Sequence, residues 1–332
     1  MPDYFLAGYG GLWTPPPGRA DSGNTSVGYD VYNRFDLGSA GNPTAYGTEN
    51  QLKSMISQVH TVGARAYLDL VWNHDGFSQW GTTDGNGNTF LNAGGYPGFY
   101  MGTGTNGNFG DFHDPSWSGD EYMQLSGLID IAQESNNQFI RNPVPGYSNN
   151  LPAGTTAAFG RLANVPTDSN RQYYPDQSLG GQTVTMHVPG DSNPNDTQQI
   201  TLYNFNTTSP MNGTPVAENA TGYLMRNARW LIETIGADGF RLDATKNYPS
   251  WALEYLDAAV YDAIQKPLLD GSRQQVWSFG EDFDTNLSNL QQHVLNNGAS
   301  VPAGTVSGNR DTLDFPLYYA MQNNLSGNGY NN

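Results

Sequence analysis

Ala64-Arg65-Ala66-Tyr67-Leu68-Asp69-Leu70-Val71-Trp72-Asn73-His74 is a short, mainly apolar run of strand length that ends in polar groups. Runs of this kind suit strands buried on both faces, as in parallel sheets covered by helices. The residues before it read as a helix. Leu52, Met55, Ile56, Val59 and Val62 recur at helical spacing, Thr48 can cap the start, and Gly63 ends the run. Helix followed by buried strand is the rhythm of an α/β protein.

The rhythm recurs further along. Leu224, Ala228, Leu231, Ile232 and Ile235 form a helical stripe closed by Gly236, and Asp238–Asp243 reads as a strand. A helix is predicted from about Ser250 to Ile264, with Leu256, Ala259, Val260 and Ile264 on its apolar face. The strand Val276–Gly280 then leads into Glu281, and Thr312–Leu317 is a further candidate. An early strand, Gly11-Leu12-Trp13, is stopped by Pro15-Pro16-Pro17. Between about 75 and 220 the rhythm breaks into Gly-, Asn-, Ser- and Thr-rich sequence whose only bases are Arg141, Arg161 and Arg171. That stretch is too long for an ordinary connection and is expected to be a subdomain. Within it, Gln182–Val188 and Gln199–Tyr203 alternate as strands do.

Composition narrows the function classes. A formal net charge of −17 repels phosphate backbones and argues against a nucleic-acid partner. The acidity suits calcium and a neutral substrate, and equally suits a surface kept soluble by like charge. No cysteine is present, so disulfides and thiolate metal sites are excluded. No apolar run approaches the roughly 20 residues of a membrane span. Met1-Pro2-Asp3 carries neither the basic nor the apolar region of a signal peptide.

Three strings carry chemistry. Asp69 ends a buried strand, where a carboxylate is costly unless paired; a strand-end turn cap is the plainer reading. In Gly236–Asn247, Phe240 and Leu242 share one face, and Arg241 and Asp243 share the other. Arg241 is expected to keep Asp243 ionised at neutral pH, as a glycosidase nucleophile must be, although a structural ion pair would look the same. Glu281 ends the next strand beside Trp277 and Phe279, in surroundings expected to be apolar enough to hold a proton. One charged and one protonated carboxylate about 5 Å apart is what retaining glycoside hydrolysis requires.

Taken together these strings resemble the α-amylase family of glycoside hydrolases. Asp69–His74 matches its D-x-V-x-N-H motif, Gly239–Asn247 its G-x-R-x-D-A-x-K-H motif, and Glu281 its strand-end Glu. Gly28-Tyr29-Asp30-Val31-Tyr32 and Tyr46-Gly47-Thr48 match two further landmarks. The resemblance runs from about Phe5 to Ala320 and implies a (β/α)8 barrel, with residues 1–74 and 221–332 supplying about strands 2–6. Residues 75–220 would be a calcium-associated domain inserted after the third strand.

The resemblance also implies roles. Asp243 would be the nucleophile and Glu281 the general acid/base, with Arg241 holding Asp243 and Asp69 lining the substrate site. His74 and Tyr29 would bind the sugar at the cleavage point, and Lys246 the next one. Asn73, Asp130 and the backbone carbonyl of Asn247, which stands where the family usually has His, would be Ca2+ ligands. The implied activity is retaining hydrolysis of internal α-1,4 bonds in starch or related α-glucans by a secreted enzyme, a monomer when full length. A transglycosylase or oligosaccharide α-glucosidase would share these motifs, and a non-catalytic carbohydrate-binding relative would share the fold. The family's third carboxylate, in a later His-Asp motif, has no counterpart after Glu281. The chain is therefore expected to be a piece of a longer enzyme and a poor catalyst alone.

Overall fold

The computed structural model describes residues 2–76, 112–113, 125, 128–133, 139–140, 174–187, 197–206, 208, 213–214, 216–247, 251–257, 260, 265–267, 273–294 and 310–326. In chain order the elements that position the site are strand β1 (Gly11–Thr14), helix α1 (Glu49–Thr61), β2 (Arg65–Leu70), β3 (His74–Gly76) and β4 (Leu128–Asp130). They continue with β5 (Gly181–His187), β6 (Thr197–Tyr203), α2 (Ala220–Trp230), β7 (Gly239–Leu242), α3 (Ala252–Leu256), β8 (Trp277–Gly280), α4 (Leu287–Gln292), β9 (Arg310–Thr312) and α5 (Phe315–Ser326).

Five of these strands make one sheet in the order β1-β2-β7-β8-β9, and all four pairings are parallel. Helices α1 and α2 arise as the sequence pattern predicts, and α3 covers Ala252–Leu256 of the longer helix expected there. Thr48 caps α1 through a capping box with Gln51, and Ile56 and Val59 are its buried residues. Helix α2 begins on the Asn219 cap and continues from Leu231 to Ile235 in wider π turns. Gly236 closes it at φ 98°, a left-handed conformation that a side chain would strain.

One face of the sheet packs on these helices: Ala66, Leu68, Phe240 and Leu242 join Val59, Leu224, Ala228, Trp230 and Leu256 in a single buried cluster. Each large apolar side chain taken from water there contributes about 1.5–3 kcal/mol. The helical side therefore carries the apolar core, and the other face of the same strands is free to carry charge.

Outside the sheet, β5 and β6 are strands, as their alternation predicts, and they pair antiparallel over their full length. The short β3–β4 pair sets His74 opposite Asp130 in register. Val260 is buried as expected, while Ser250, Ala259 and Ile264 of the predicted helix lie outside the described residues, as do Arg141, Arg161 and Arg171. Among the described residues no helix is long and apolar enough to cross a membrane.

The expected last strand needs correction. Its residues 312–317 divide: Thr312 closes β9, and Phe315 to Leu317 begin α5. The Leu317 amide donates to the Asp314 carboxylate at 2.9 Å, an N-cap, and Pro316 follows in the first turn, where its missing N–H costs nothing. The alternation of Leu313, Phe315 and Leu317 imitates a strand, but the cap and the proline decide for helix.

Candidate active site

The register of the sheet assembles the site. Arg241 on β7 lies directly between Asp69 on β2 and Phe279 on β8. Side chains alternate, so these three share the face opposite the apolar core. The ladder then runs one step past the strands: Asp243 N–H donates to Leu70 O at 3.0 Å and Glu281 N–H to Leu242 O at 2.8 Å. Asp243 and Glu281 thus step off neighbouring strand ends onto one rim. Thr245 N–H donates to Glu281 O at 3.1 Å and ties the two segments together.

One guanidinium serves three carboxylates. Arg241 Nη1 donates to Asp243 Oδ1 at 2.6 Å and to both Asp69 oxygens at 3.0 Å. Its Nη2 pairs with Glu281 Oε2. Three acids around one cation leave excess negative charge in a buried place. Burial pushes the Asp243 carboxyl up to about 7, above its ordinary 3.8, against the opposing pull of Arg241 and with help from Asp69 and Glu281. Asp69 is raised too, first by burial, although Arg241 and the Tyr29 hydroxyl, 2.8 Å from its Oδ2, work the other way.

The expectation that Arg241 alone would keep Asp243 ionised at neutral pH is therefore corrected. The cation is shared, and desolvation outweighs it. The apolar surroundings expected for Glu281 are also corrected: its side chain is 34% exposed and ion-paired with Arg241. Trp277 and Phe279 stack on each other, ring centroids 5.1 Å apart, and Phe279 meets Trp13 edge-on.

His74 is fully buried and its pKa falls to about 3, first through burial and then through the nearby Arg34 guanidinium. It is neutral at any working pH. Its Nε2 lies 3.1 Å from Tyr29 O and 3.9 Å from Asp243 Oδ2, and the Asn73 amide nitrogen faces its Nδ1 at 3.4 Å. These contacts suit the tautomer with the proton on Nε2. Tyr29 closes the site beside His74, its ring 5.7 Å from the Arg241 guanidinium carbon. Lys246 stands outside, donating to Phe283 O at 3.1 Å with its ammonium 5.6 Å from the Phe283 ring centroid.

The proposed metal ligands fall in the adjoining layer. Asn73 Nδ2 and Asp130 Oδ1 are 2.9 Å apart, both buried, although 57 residues separate them. Asn247 is buried in a one-turn helix directly after Asp243. Among the described residues no three His, Asp or Glu side chains converge as a metal cage.

Sequence reasoning passed over three participants. Trp13, 49% exposed, lies 5.4 Å from the Arg241 guanidinium carbon. Its signal was a large aromatic at a strand end just before prolines. Phe283, 54% exposed, sits two residues past Glu281. Arg34 donates to His74 O at 2.8 Å and pairs with Asp75, and nothing local in the sequence marks it.

Removing the Asp69 charge would strip one of the like charges that raise Asp243. Asp69→Asn is accordingly expected to move the Asp243 titration to lower pH, measurable by carboxyl chemical shifts. An unmoved or raised value would mean that burial alone sets it.

No family model matches the chain. It is 38% identical over 69 residues to an α-amylase of Geobacillus stearothermophilus, covering 20% of this chain and 12% of that protein. It is 28% identical over 218 residues to an α-amylase of Tribolium castaneum, covering 55% of this chain and 42% of that one. A solved α-amylase from Geobacillus thermoleovorans superposes with a TM-score of 0.47 at 14% identity, over 98% of this chain and 46% of that chain. The chain thus spans less than half the length of these relatives. Over the stretches that align, it is a sequence relative of the α-amylases.

Proposed function

We propose that the protein from which this chain comes hydrolyses internal α-1,4 bonds of starch or a related α-glucan with retention of configuration. The observation that carries the reading is the gripping of Asp243 and Glu281, from neighbouring parallel strand ends, by the single guanidinium of Arg241. Retaining hydrolysis needs two carboxylates a short distance apart with distinct tasks. Asp243 is buried and fixed by Arg241, which suits attack along one line. Glu281 is part-exposed, which suits a group that must reach the leaving oxygen first and a water afterwards.

In the first step Glu281 gives its proton to the glycosidic oxygen as Asp243 attacks the anomeric carbon. The carbon–oxygen bond breaks and a glycosyl ester forms on Asp243. In the second step Glu281 takes a proton from water, which attacks the same carbon, and the sugar leaves with its original configuration. Ionised Asp243 is needed at the start, so activity should rise with pH through an apparent value near 7, belonging to the Asp69–Asp243–Glu281 cluster rather than to one group. Neutral His74 and the rings of Tyr29 and Trp13 would contact the sugar at the point of cleavage, and Lys246 with Phe283 the next sugar along.

The sheet is read as part of a (β/α)8 barrel, with residues 75–220 inserted as a separate domain. The test is incubation of the purified chain with maltoheptaose and starch, following the anomeric form of the products by proton NMR before mutarotation. Release of β-anomers, or no cleavage by either this chain or the whole protein, would end the proposal.

Calcium is proposed between Asn73 and Asp130. Their facing polar atoms are 2.9 Å apart. Calcium would require the Asn73 amide to turn its oxygen toward Asp130 and give up its contact with His74 Nδ1; two oxygens at that spacing fit one ion at about 2.4 Å from each. The carbonyl of Asn247 is a further candidate ligand. The ion would brace the strand end that carries Asp69 and His74 against the inserted segment. Chelation is expected to remove about 2–3 kcal/mol of stability where calcium had stood near 100 times its Kd. A melting temperature unchanged by excess chelator would remove the ion from the reading.

A further inference from the structure

Asp282, the residue after Glu281, is used by no step above, yet it is 0% exposed. Alternation sends it away from the rim and into the helical layer. There Asp282 Oδ2 lies 2.6 Å from Nδ1 of His293, the C-cap residue of α4. Asp282 Oδ1 is buried with no hydrogen-bond partner among the described residues. A buried acid with one oxygen unsatisfied is a poor choice for stability, because an apolar side chain would fill the same space without desolvating a charge.

The anchor is itself held. His293 O accepts from Arg310 Nε at 2.7 Å, and Arg310 Nη1 donates to Asp257 Oδ1 at 2.7 Å. Arg310 belongs to β9, and Asp257 follows α3. The chain Asp282–His293–Arg310–Asp257 therefore fastens the end of β8 to a neighbouring strand and two helices. On the rim side the segment is held by Glu281 N–H to Leu242 O, by Thr245 N–H to Glu281 O and by the ion pair of the Glu281 carboxylate with Arg241. Beyond Asp282 the chain runs without regular structure to Asn286, carrying Phe283, whose carbonyl accepts from Lys246.

We propose that Asp282 and His293 are a positioning pair that holds Glu281 in the geometry for proton transfer. The proposal rests on the α-glucan hydrolase reading for its kinetics and on the buried pair alone for its structure. Rim contacts fix where the Glu281 backbone lies. The Asp282–His293 bond fixes how the chain leaves it, and so, together with the Arg241 ion pair, which way the Glu281 side chain points. Loss of the bond frees the segment 281–284 to rotate, and the acid then meets the leaving oxygen in only a fraction of encounters.

The test compares His293→Phe, which keeps a ring and drops the donor, with His293→Asn, whose amide nitrogen can take the place of Nδ1. Two substrates are used: a maltooligosaccharide, whose departure needs the proton, and α-maltosyl fluoride, whose departure does not. General acid assistance is worth about 10²–10⁴ in rate, so partial misplacement should cost on the order of tenfold in kcat on the oligosaccharide. KM and the first-turnover release of fluoride, which precedes the step where Glu281 acts as base, should stay near wild type, and His293→Asn should recover most of the loss. Equal losses on both substrates, or no recovery by Asn, would overturn positioning and leave a purely structural pair.

Amide exchange at residues 281–284 is read on the same full-length variants. It should be faster in His293→Phe and at the wild-type rate in His293→Asn; equal exchange in both would overturn the proposal whether or not the chain hydrolyses glucans. No cleavage of either substrate by this chain or by the whole protein, with the exchange difference intact, would sink the hydrolase reading and spare the pair. Should His293→Phe fail to fold, Asp282→Asn weakens the same bond with little change of shape, and the same outcomes apply.

Discussion

Asp243→Asn is expected to abolish glucan hydrolysis and, at the same time, to raise the melting temperature at pH 8. The activity side follows from chemistry. An amide cannot form the glycosyl ester, so the rate should fall on the order of 10³-fold or more. The stability side follows from proton linkage. The folded chain holds the Asp243 proton up to about pH 7, whereas an unfolded carboxyl releases it near 3.8. Between those values the folded state binds more protons, so stability falls as pH rises through about 4 to 7 and stays reduced above. An Asn carries no charge to desolvate and still offers its oxygen to Arg241. The variant should therefore be more stable by about 1–3 kcal/mol at pH 8 and near wild type at pH 4. Melting curves of the two proteins at both values test this. A variant less stable than wild type at pH 8 would show that the 2.6 Å contact with Arg241 outweighs burial.

The two halves of that expectation differ in how far they could be read from sequence. Asp69, Arg241, Asp243 and Glu281 were legible because each sits at the end of a short apolar run, and a period of two assigns each to a face. Contact of Arg241 with Asp243 or Asp69 was expected; that it grips both at once is decided by the register of β2 against β7, which brings residues 172 apart level. The sharing of one cation among three acids, and hence the raised Asp243, follows from that register and not from any local pattern. Helices were legible where caps and stripes agreed, as at Thr48 and Gly236. They were misread where alternation and capping disagreed, as from Asp314 to Leu317. Arg34 and the Asp282–His293 pair left no local signal, since a single polar residue in a loop or at a helix end carries no period.

Arg241→Met is expected to have the largest effect on the folded state. The thioether side chain fills much of the same space and removes the cation that Asp69, Asp243 and Glu281 share. Breaking a buried ion-pair network by deleting one partner typically costs about 3–5 kcal/mol, because the remaining charges stay buried without compensation. Three acids share this partner, so the loss should lie toward the upper end at neutral pH. It should shrink as pH falls and the acids take up protons. Activity should vanish with it, because Asp243 would stay protonated to still higher pH and Glu281 would lose its tether. Arg241→Lys separates charge from geometry. An ammonium restores one positive charge but cannot present two nitrogens of a planar fork to Asp243 and Glu281 at once. Lys should then recover a good part of the melting temperature and little of the rate. Chemical denaturation of both variants at pH 5 and pH 8, with rates on maltoheptaose, separates the cases. A Met variant as stable as wild type at pH 8 would mean that the three acids are already neutral there, and the charge balance drawn for this site would fall.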